Sequence, residues 1–209
     1  MAALLQMASA ARVGLQGCNA QQLASLAGTG RHQGVVAIVK PFPYAELDQV
    51  VAGRPRLLVV ADQIQDPHNL GALIRTAEAV GAGAVILPKD GAVPITAAVE
   101  AAAAGAAALE PVCRVINVAR TLAALKQSGC WTMALVPSGG LDLYQADLPQ
   151  PLVVVVGGEA GMRRLVAKQC DVAVSIPMCG KGESLNASVA AAVTLYELFR
   201  RWRTSRAPR

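Results

Sequence analysis

Three segments hold the residues best able to do chemistry. In the first, Asp66-Pro67-His68-Asn69-Leu70-Gly71-Ala72-Leu73-Ile74-Arg75, a turn or helix-start signal leads into a helical stretch bearing an amide and a guanidinium. In the second, Val153 to Arg164, an apolar run enters the glycine turn Gly157-Gly158 with Glu159 at its edge. In the third, the loop Gly180-Lys181-Gly182-Glu183 is followed by Ser184-Leu185-Asn186, which opens an apolar helix. Glycines permit a close backbone approach to a ligand. A helix amino terminus offers unpaired amides that, with Ser and Asn side chains, hold a polar group or a phosphate.

Each residue also has a plainer reading. Asn69, Ser184 and Asn186 are preferred helix caps, and capping does not exclude catalysis. Glu159 could cap a following helix, and Arg75 could form an ion pair at a surface or a dimer interface. Asn69 and Arg75 are six positions apart and fall on different helical faces, so a shared site requires Asn69 in the loop before the helix. Several other chemistries lack their signatures. A Gly-x-Gly-x-x-Gly fingerprint is absent at the second segment, and no serine sits in a Gly-x-Ser-x-Gly elbow. The five cysteines form no Cys-x-x-Cys pair and there are two histidines, so no metal site is expected and the thiols read as reduced and structural.

The elements that must position these residues alternate along the chain. Apolar runs of strand length are Leu57 to Ala61, Val85 to Leu87, Trp131 to Val136, Leu152 to Val156 and Val172 to Ile176. Helical stretches are Asn69 to Val80, Ile95 to Ala104, Val118 to Ser128 and Asn186 to Arg203. Continuous rather than alternating strands, separated by helices, indicate an α/β fold with a mostly parallel sheet covered on both faces. The prolines of Lys40-Pro41-Phe42-Pro43-Tyr44 and Gly53-Arg54-Pro55-Arg56 suit a linker. They set a boundary near residue 54, with residues 1–54 as an amino-terminal extension and 55–209 as the main domain.

Composition narrows the function. The chain has 209 residues, 54% hydrophobic and 16% charged, enough for one full-sized core. Aromatic residues are only 3%, which argues against a sheet or barrel that reads bases by stacking them on exposed rings. The charge of +5 includes Arg200, Arg201, Arg203, Arg206 and Arg209 near the end, fitting either a polyanionic partner or a solvated basic tail. The opening Met1 to Ala11 is a poor signal peptide and the Ala101 to Ala108 run is too short to span a bilayer, so a cytoplasmic protein without a membrane partner is expected.

In order and spacing, the three segments resemble motifs 1, 2 and 3 of the SpoU (TrmH-like) class of RNA ribose 2′-O-methyltransferases, over roughly residues 56–203. Val85 to Asp90, Asn117 to Thr121, Leu143 to Gln145 and Gly161 to Arg164 resemble, within that class, the bacterial large-subunit ribosomal RNA guanosine enzymes. The resemblance implies a homodimeric α/β domain with a carboxyl-terminal trefoil knot. It implies S-adenosylmethionine bound in the knot, against Val136, Pro137, Gly140, Gly157, Glu159, Ile176, Pro177, Met178, Leu185, Asn186 and Ala187. It assigns Arg75 to activating the ribose hydroxyl; because a guanidinium is not deprotonated in a protein, the alternative is that Arg75 holds the target phosphate and stabilises a developing alkoxide. Glu159, the phosphate or water would take the proton, and Asn69, Ser184 and Asn186 would orient the ribose and Arg75. Arg31 to Ala37 is similar to the end of the family's small RNA-binding substrate domain, of which residues 1–54 would be a remnant plus linker.

Two departures from the family pattern stand out. The turn after Glu159 is one residue shorter, and Glu183 stands where a small polar residue is commoner. They keep open a second class of function, a catalytically weak RNA-binding or ribosome-assembly protein that retains the fold. A small-molecule-binding α/β module is disfavoured by the arginine-rich end. The RNA substrate itself, ribosomal or transfer, is left open by the sequence.

Overall fold

The computed structural model describes residues 2–28 and 32–204. Arg31, Arg206 and Arg209, which figured in the sequence reading, lie outside the described residues. The chain forms two compact units, Met1–Pro41 and Phe42–Arg209. The first contains helices α1 (Ala2–Ala10) and α2 (Ala20–Ala27), neither with a buried residue. The second helix owes its limits to local chemistry. Asn19 and Gln22 form a reciprocal capping box at its start, and Gly28 ends it at φ 65°, a left-handed conformation that costs glycine little.

The second unit runs α3 (Leu47–Ala52), β1 (Leu57–Asp62), α4 (Pro67–Ala79), β2 (Val85–Pro88), α5 (Ala97–Ala103), a 3-10 turn (Ala106–Ala108), β3 (Val112–Val115) and α6 (Val118–Gln127). It continues through β4 (Trp131–Leu135), β5 (Leu141–Asp142), β6 (Leu152–Gly157), α7 (Arg164–Gln169), β7 (Val172–Ser175) and α8 (Ala187–Thr204). The strands make one seven-stranded sheet in the order β3-β2-β1-β6-β4-β7-β5. Every paired strand is parallel. The expected mostly parallel α/β sheet with helices on both faces is therefore observed.

The continuous apolar runs are explained by burial on both sides. In β1 and β6, Leu57, Val59, Leu152, Val154 and Val156 join a core with α4, α5 and α8, whereas Leu58, Val60, Val153 and Val155 face α6, α7 and α3. The β1 and β6 strands are sequence-distant neighbours, in register from Leu57↔Leu152 to Asp62↔Gly157. Chain order reverses between them, and parallel sheets bind ligands outside their carboxyl ends at such a switch point. Both the first and second motif segments leave the sheet there. The cysteines are all unpaired, and burial pushes the Cys113 thiol up to about 11 and the Cys170 thiol up to about 12, which keeps both protonated. No helix among the described residues is long and apolar enough to cross a membrane, and no cluster of metal-ligating side chains occurs among them.

Candidate active site

The site begins where β1 hands over to α4. Gln63 turns the chain at φ 60°, Asp66 accepts a hydrogen bond from the His68 amide as helix cap, and Pro67 occupies the first turn, where its missing N–H costs nothing. Asn69 lies inside the first turn of α4, which starts two residues earlier than expected because Asp66 is the cap, and not in the preceding loop that a site shared with Arg75 requires. Asn69 is 6% exposed, and a buried amide must find partners for its polar atoms.

Those partners come from the other two motif segments. Asn69 Nδ2 donates to Glu159 Oε1 at 2.6 Å, and Asn69 Oδ1 accepts from Asn186 Nδ2 at 2.9 Å and from Ser188 Oγ at 3.3 Å. Asn186 caps α8 at the same time, its Oδ1 accepting from the Ser188 and Val189 amides at 2.9 and 3.3 Å. One residue thus serves both readings of its type, capping a helix and binding across the site. Ser188, which sequence reasoning did not select, completes the cluster; its position two residues beyond a capping Asn was the available signal.

Glu159 is aimed by a tight turn. The Gly161 amide donates to the Gly158 carbonyl at 2.9 Å, closing Gly158-Glu159-Ala160-Gly161 into a four-residue turn with Gly161 at φ 82°. Glu159-Ala160-Gly161 is held within this tight turn. A Cβ on Gly158 would lie 2.0 Å from the Gln63 carbonyl oxygen, so the turn rests directly on the loop leaving β1. Asp62 and Arg163 lock it there. Fully buried Asp62 accepts from the Arg163 amide at 2.9 Å and from its Nε at 2.8 Å, with Nη2 on the same carboxylate. A carboxylate at the end of an apolar strand needs a cation when buried, and that was the sequence signal for this pair.

Beside the cluster opens a cavity of about 520 Å³, within the range of small-molecule sites. Of the expected cofactor contacts, Val136, Pro137, Gly157, Glu159, Ile176, Met178, Leu185, Asn186 and Ala187 line it. Ser184 lines it as well. Gly140 and Pro177 do not. Gly140 packs on β7, where a Cβ would meet the Ala173 backbone at 2.8 Å, and its carbonyl accepts from Ser175 Oγ. Leu135, Val156, Met162 and Ala190 add apolar wall that sequence reasoning did not pick out. Arg75 stands apart: it is exposed on α4 and does not line the cavity. Six residues place it about 9 Å along the helix from Asn69 and a third of a turn around.

The SpoU rRNA Methylase family model matches residues 56–196, and the model for RNA 2′-O ribose methyltransferase substrate binding matches residues 1–45. The chain belongs to the SpoU rRNA methylase family. Among SpoU-related proteins it is 47% identical over 200 residues to the 23S rRNA (guanosine-2′-O-)-methyltransferase RlmB of Ralstonia nicotianae, covering 94% of this chain and 80% of that protein. It is 44% identical to RlmB of Nitrosomonas europaea, covering 94% and 77%. Among solved structures, the SpoU methyltransferase AviRb from Streptomyces viridochromogenes, in complex with the cofactor AdoMet, superposes with a TM-score of 0.70 at 30% identity. That match covers 78% of this chain and 66% of AviRb, so the chain spans slightly less than two thirds of that structure.

Proposed function

We propose that this protein transfers a methyl group from S-adenosylmethionine to the ribose 2′-hydroxyl of a guanosine in large-subunit ribosomal RNA. The observation that carries the reading is the Asn69, Glu159 and Asn186 cluster, which joins all three motif segments at the wall of the cavity in a chain of the SpoU family. Its RlmB relatives, named for guanosine 2′-O-methylation of 23S rRNA, support the substrate.

The cavity suits S-adenosylmethionine in size and lining. Its walls combine apolar Leu135, Val156, Ile176, Met178 and Leu185 with the carboxylate of Glu159, and a Cβ on Gly157 would strike the Met162 amide nitrogen at 2.6 Å. When bound there, the sulfonium supplies an electrophilic methyl group. Glu159 takes the hydroxyl proton, its carboxylate fixed by the Asn69 amide. Asn186 and Ser184 orient the ribose, and Arg75 holds the target phosphate and opposes charge on the developing alkoxide.

The larger assembly belongs to the same proposal. The carboxyl-terminal chain forms a trefoil knot: β7 fills the slot between β4 and β5, the two strands that residues 136–140 join, which supports threading through that loop. A homodimer is supported by Val189, Tyr196 and Phe199, exposed apolar side chains at helical spacing on α8. Residues 1–54 serve RNA recognition and linkage and 55–209 catalysis, in the cytoplasm, without a metal ion or a membrane.

The deciding experiment incubates the protein with labelled S-adenosylmethionine and unmodified 23S ribosomal RNA or, separately, transfer RNA, followed by nucleoside analysis. Labelled 2′-O-methylguanosine from ribosomal RNA, lost in Glu159→Gln, is expected. No incorporation into either RNA, with no binding of the cofactor, would overturn the reading in favour of a non-catalytic RNA-binding protein.

A further inference from the structure

A second cleft, of about 330 Å³, lies outside the candidate active site and is lined by Tyr44, Glu46, Asp48, Lys89 and Arg114. Arg114 is fixed in place. Its guanidinium sits 5.1 Å from the centre of the Tyr44 ring, and its Nη2 donates to the Lys89 carbonyl at 2.8 Å. Tyr44 is held in turn, its hydroxyl accepting from the Ile95 amide at 3.0 Å. Glu46 precedes α3 without using its carboxylate as a cap. Two cations and two anions thus line one cleft, yet none of the four makes an ion pair among the described residues.

The cleft shares a rim with the active site. Gly157 is in register with Asp62, and Pro88, just before Lys89, with Val115, just after Arg114. All four residues lie at the carboxyl end of the one parallel sheet. Strand spacings of about 4.8 Å put β2 and β3 about 10 and 14 Å along that rim from β6. An RNA strand delivering a ribose to Glu159 would have to follow that rim to reach the cleft.

We infer that this cleft is an RNA subsite for an unstacked nucleotide flanking the methylated one; the inference rests on the proposed RNA substrate. Lys89 takes the backbone phosphate as a point charge. The base lies against the planar guanidinium of Arg114, a surface that unstacked RNA bases favour, and the free part of its N–H fork donates to base acceptors. Glu46 and Asp48 accept from base amino groups, which selects against uracil.

The test measures binding of an unmodified 23S ribosomal RNA transcript by fluorescence anisotropy over a salt series. Lys89→Gln is expected to weaken binding about fivefold to tenfold and to lower the salt slope by about 1. Arg114→Lys keeps the charge but loses the planar fork, so a loss of about fivefold with an unchanged slope is expected. S-adenosylmethionine affinity, by calorimetry, stays at its wild-type value in both. Wild-type RNA affinity and slope in both variants, with only a lower melting temperature for Arg114→Lys, would reduce Arg114 to a staple between β2 and β3 and overturn the inference. So would a wild-type chain that binds no RNA. A wild-type chain that binds RNA through these residues but methylates none would instead sink the methyltransferase reading and leave the subsite standing.

Discussion

The side-chain hydrogen bonds of Asn69 all go to the other two motif segments. Its amide is spent on Glu159, and its carbonyl receives Asn186 and Ser188. Replacing it with Ala leaves three polar side chains without their buried partner and frees the carboxylate that must meet the hydroxyl. Asn69→Ala is expected to lower the turnover of methyl transfer by about 10²-fold, the typical worth of a positioned proton acceptor. Stability should fall by about 1–3 kcal/mol, while S-adenosylmethionine affinity, read by calorimetry, changes little because Asn69 is not a cavity residue. Arg75 has the opposite profile. It is exposed, so Arg75→Ala should leave stability within the ordinary scatter of surface changes, about 0.5 kcal/mol, yet abolish transfer. Equal loss of cofactor binding and transfer would defeat its assigned role. Residue types made Asn69, Glu159, Asn186 and Arg75 candidates but equally allowed helix caps and a surface ion pair, and the family resemblance is what assigned them to one site. Their mutual distances were not legible, since the bonds that join them cross 90 and 117 positions of sequence.

At the scale of elements, the junction of β1 and β6 matters more than either strand. The Gly158 turn lies on the Gln63 backbone, and Asp62 and Arg163 close the contact from the other side. Gly158→Ala would place a methyl 2.0 Å from a carbonyl oxygen and 2.6 Å from its carbon. Because both atoms are backbone, no side-chain rotation relieves the clash, and the two loops must part. The expected cost is about 3 kcal/mol, or roughly 6–12 °C in melting temperature for a domain of this size, together with weaker S-adenosylmethionine binding, because Gly158, Ala160 and Gly161 line the cavity and must move with the turn. Thermal melting and calorimetry check both effects; an unchanged melting temperature would show the junction to be looser than described. Long, doubly buried strands such as β1 and β6 were readable because Leu57 to Ala61 and Leu152 to Val156 are apolar without a break. The strands β3 and β5 were not: Arg114 interrupts a four-residue edge strand, and Leu141–Asp142 is too short to show a period. The same holds for α7, six residues long, whose place is fixed by Arg163 and by packing on α6 rather than by its own pattern.

Across the whole molecule, two carboxylates outside the site set opposing limits on stability with pH. Glu110, 5% exposed with an unpartnered Oε1, has its pKa pushed up to about 8 by burial and then by the neighbouring Glu78. The folded protein keeps this proton up to about pH 8, whereas the unfolded chain releases it near 4.5. Its contribution to stability is therefore full below about 4.5, declines as pH rises towards 8, and is constant beyond. Glu197 acts in the other direction. Hydrogen bonds from Arg200 and Arg201 hold its carboxyl down at about 2. Its contribution is present above 4.5 and is lost as pH falls towards 2. Together the two groups place the stability maximum in the mildly acidic range. Glu110→Gln has no proton to release, so its stability should match wild type near pH 5 and exceed it near pH 8.5. At about 1.4 kcal/mol per pKa unit, the roughly three units between pH 5 and the folded pKa make the gain on the order of 4 kcal/mol. Urea unfolding at the two pH values checks this. A variant no more stable than wild type at pH 8.5 would mean that Glu110 reaches water or a cation in solution. This buried acid is also the clearest case of what sequence could not disclose: Glu110 follows an alanine-rich stretch as an ordinary acidic residue, and only the packing of α4 and the 3-10 turn around it makes it one that holds its proton.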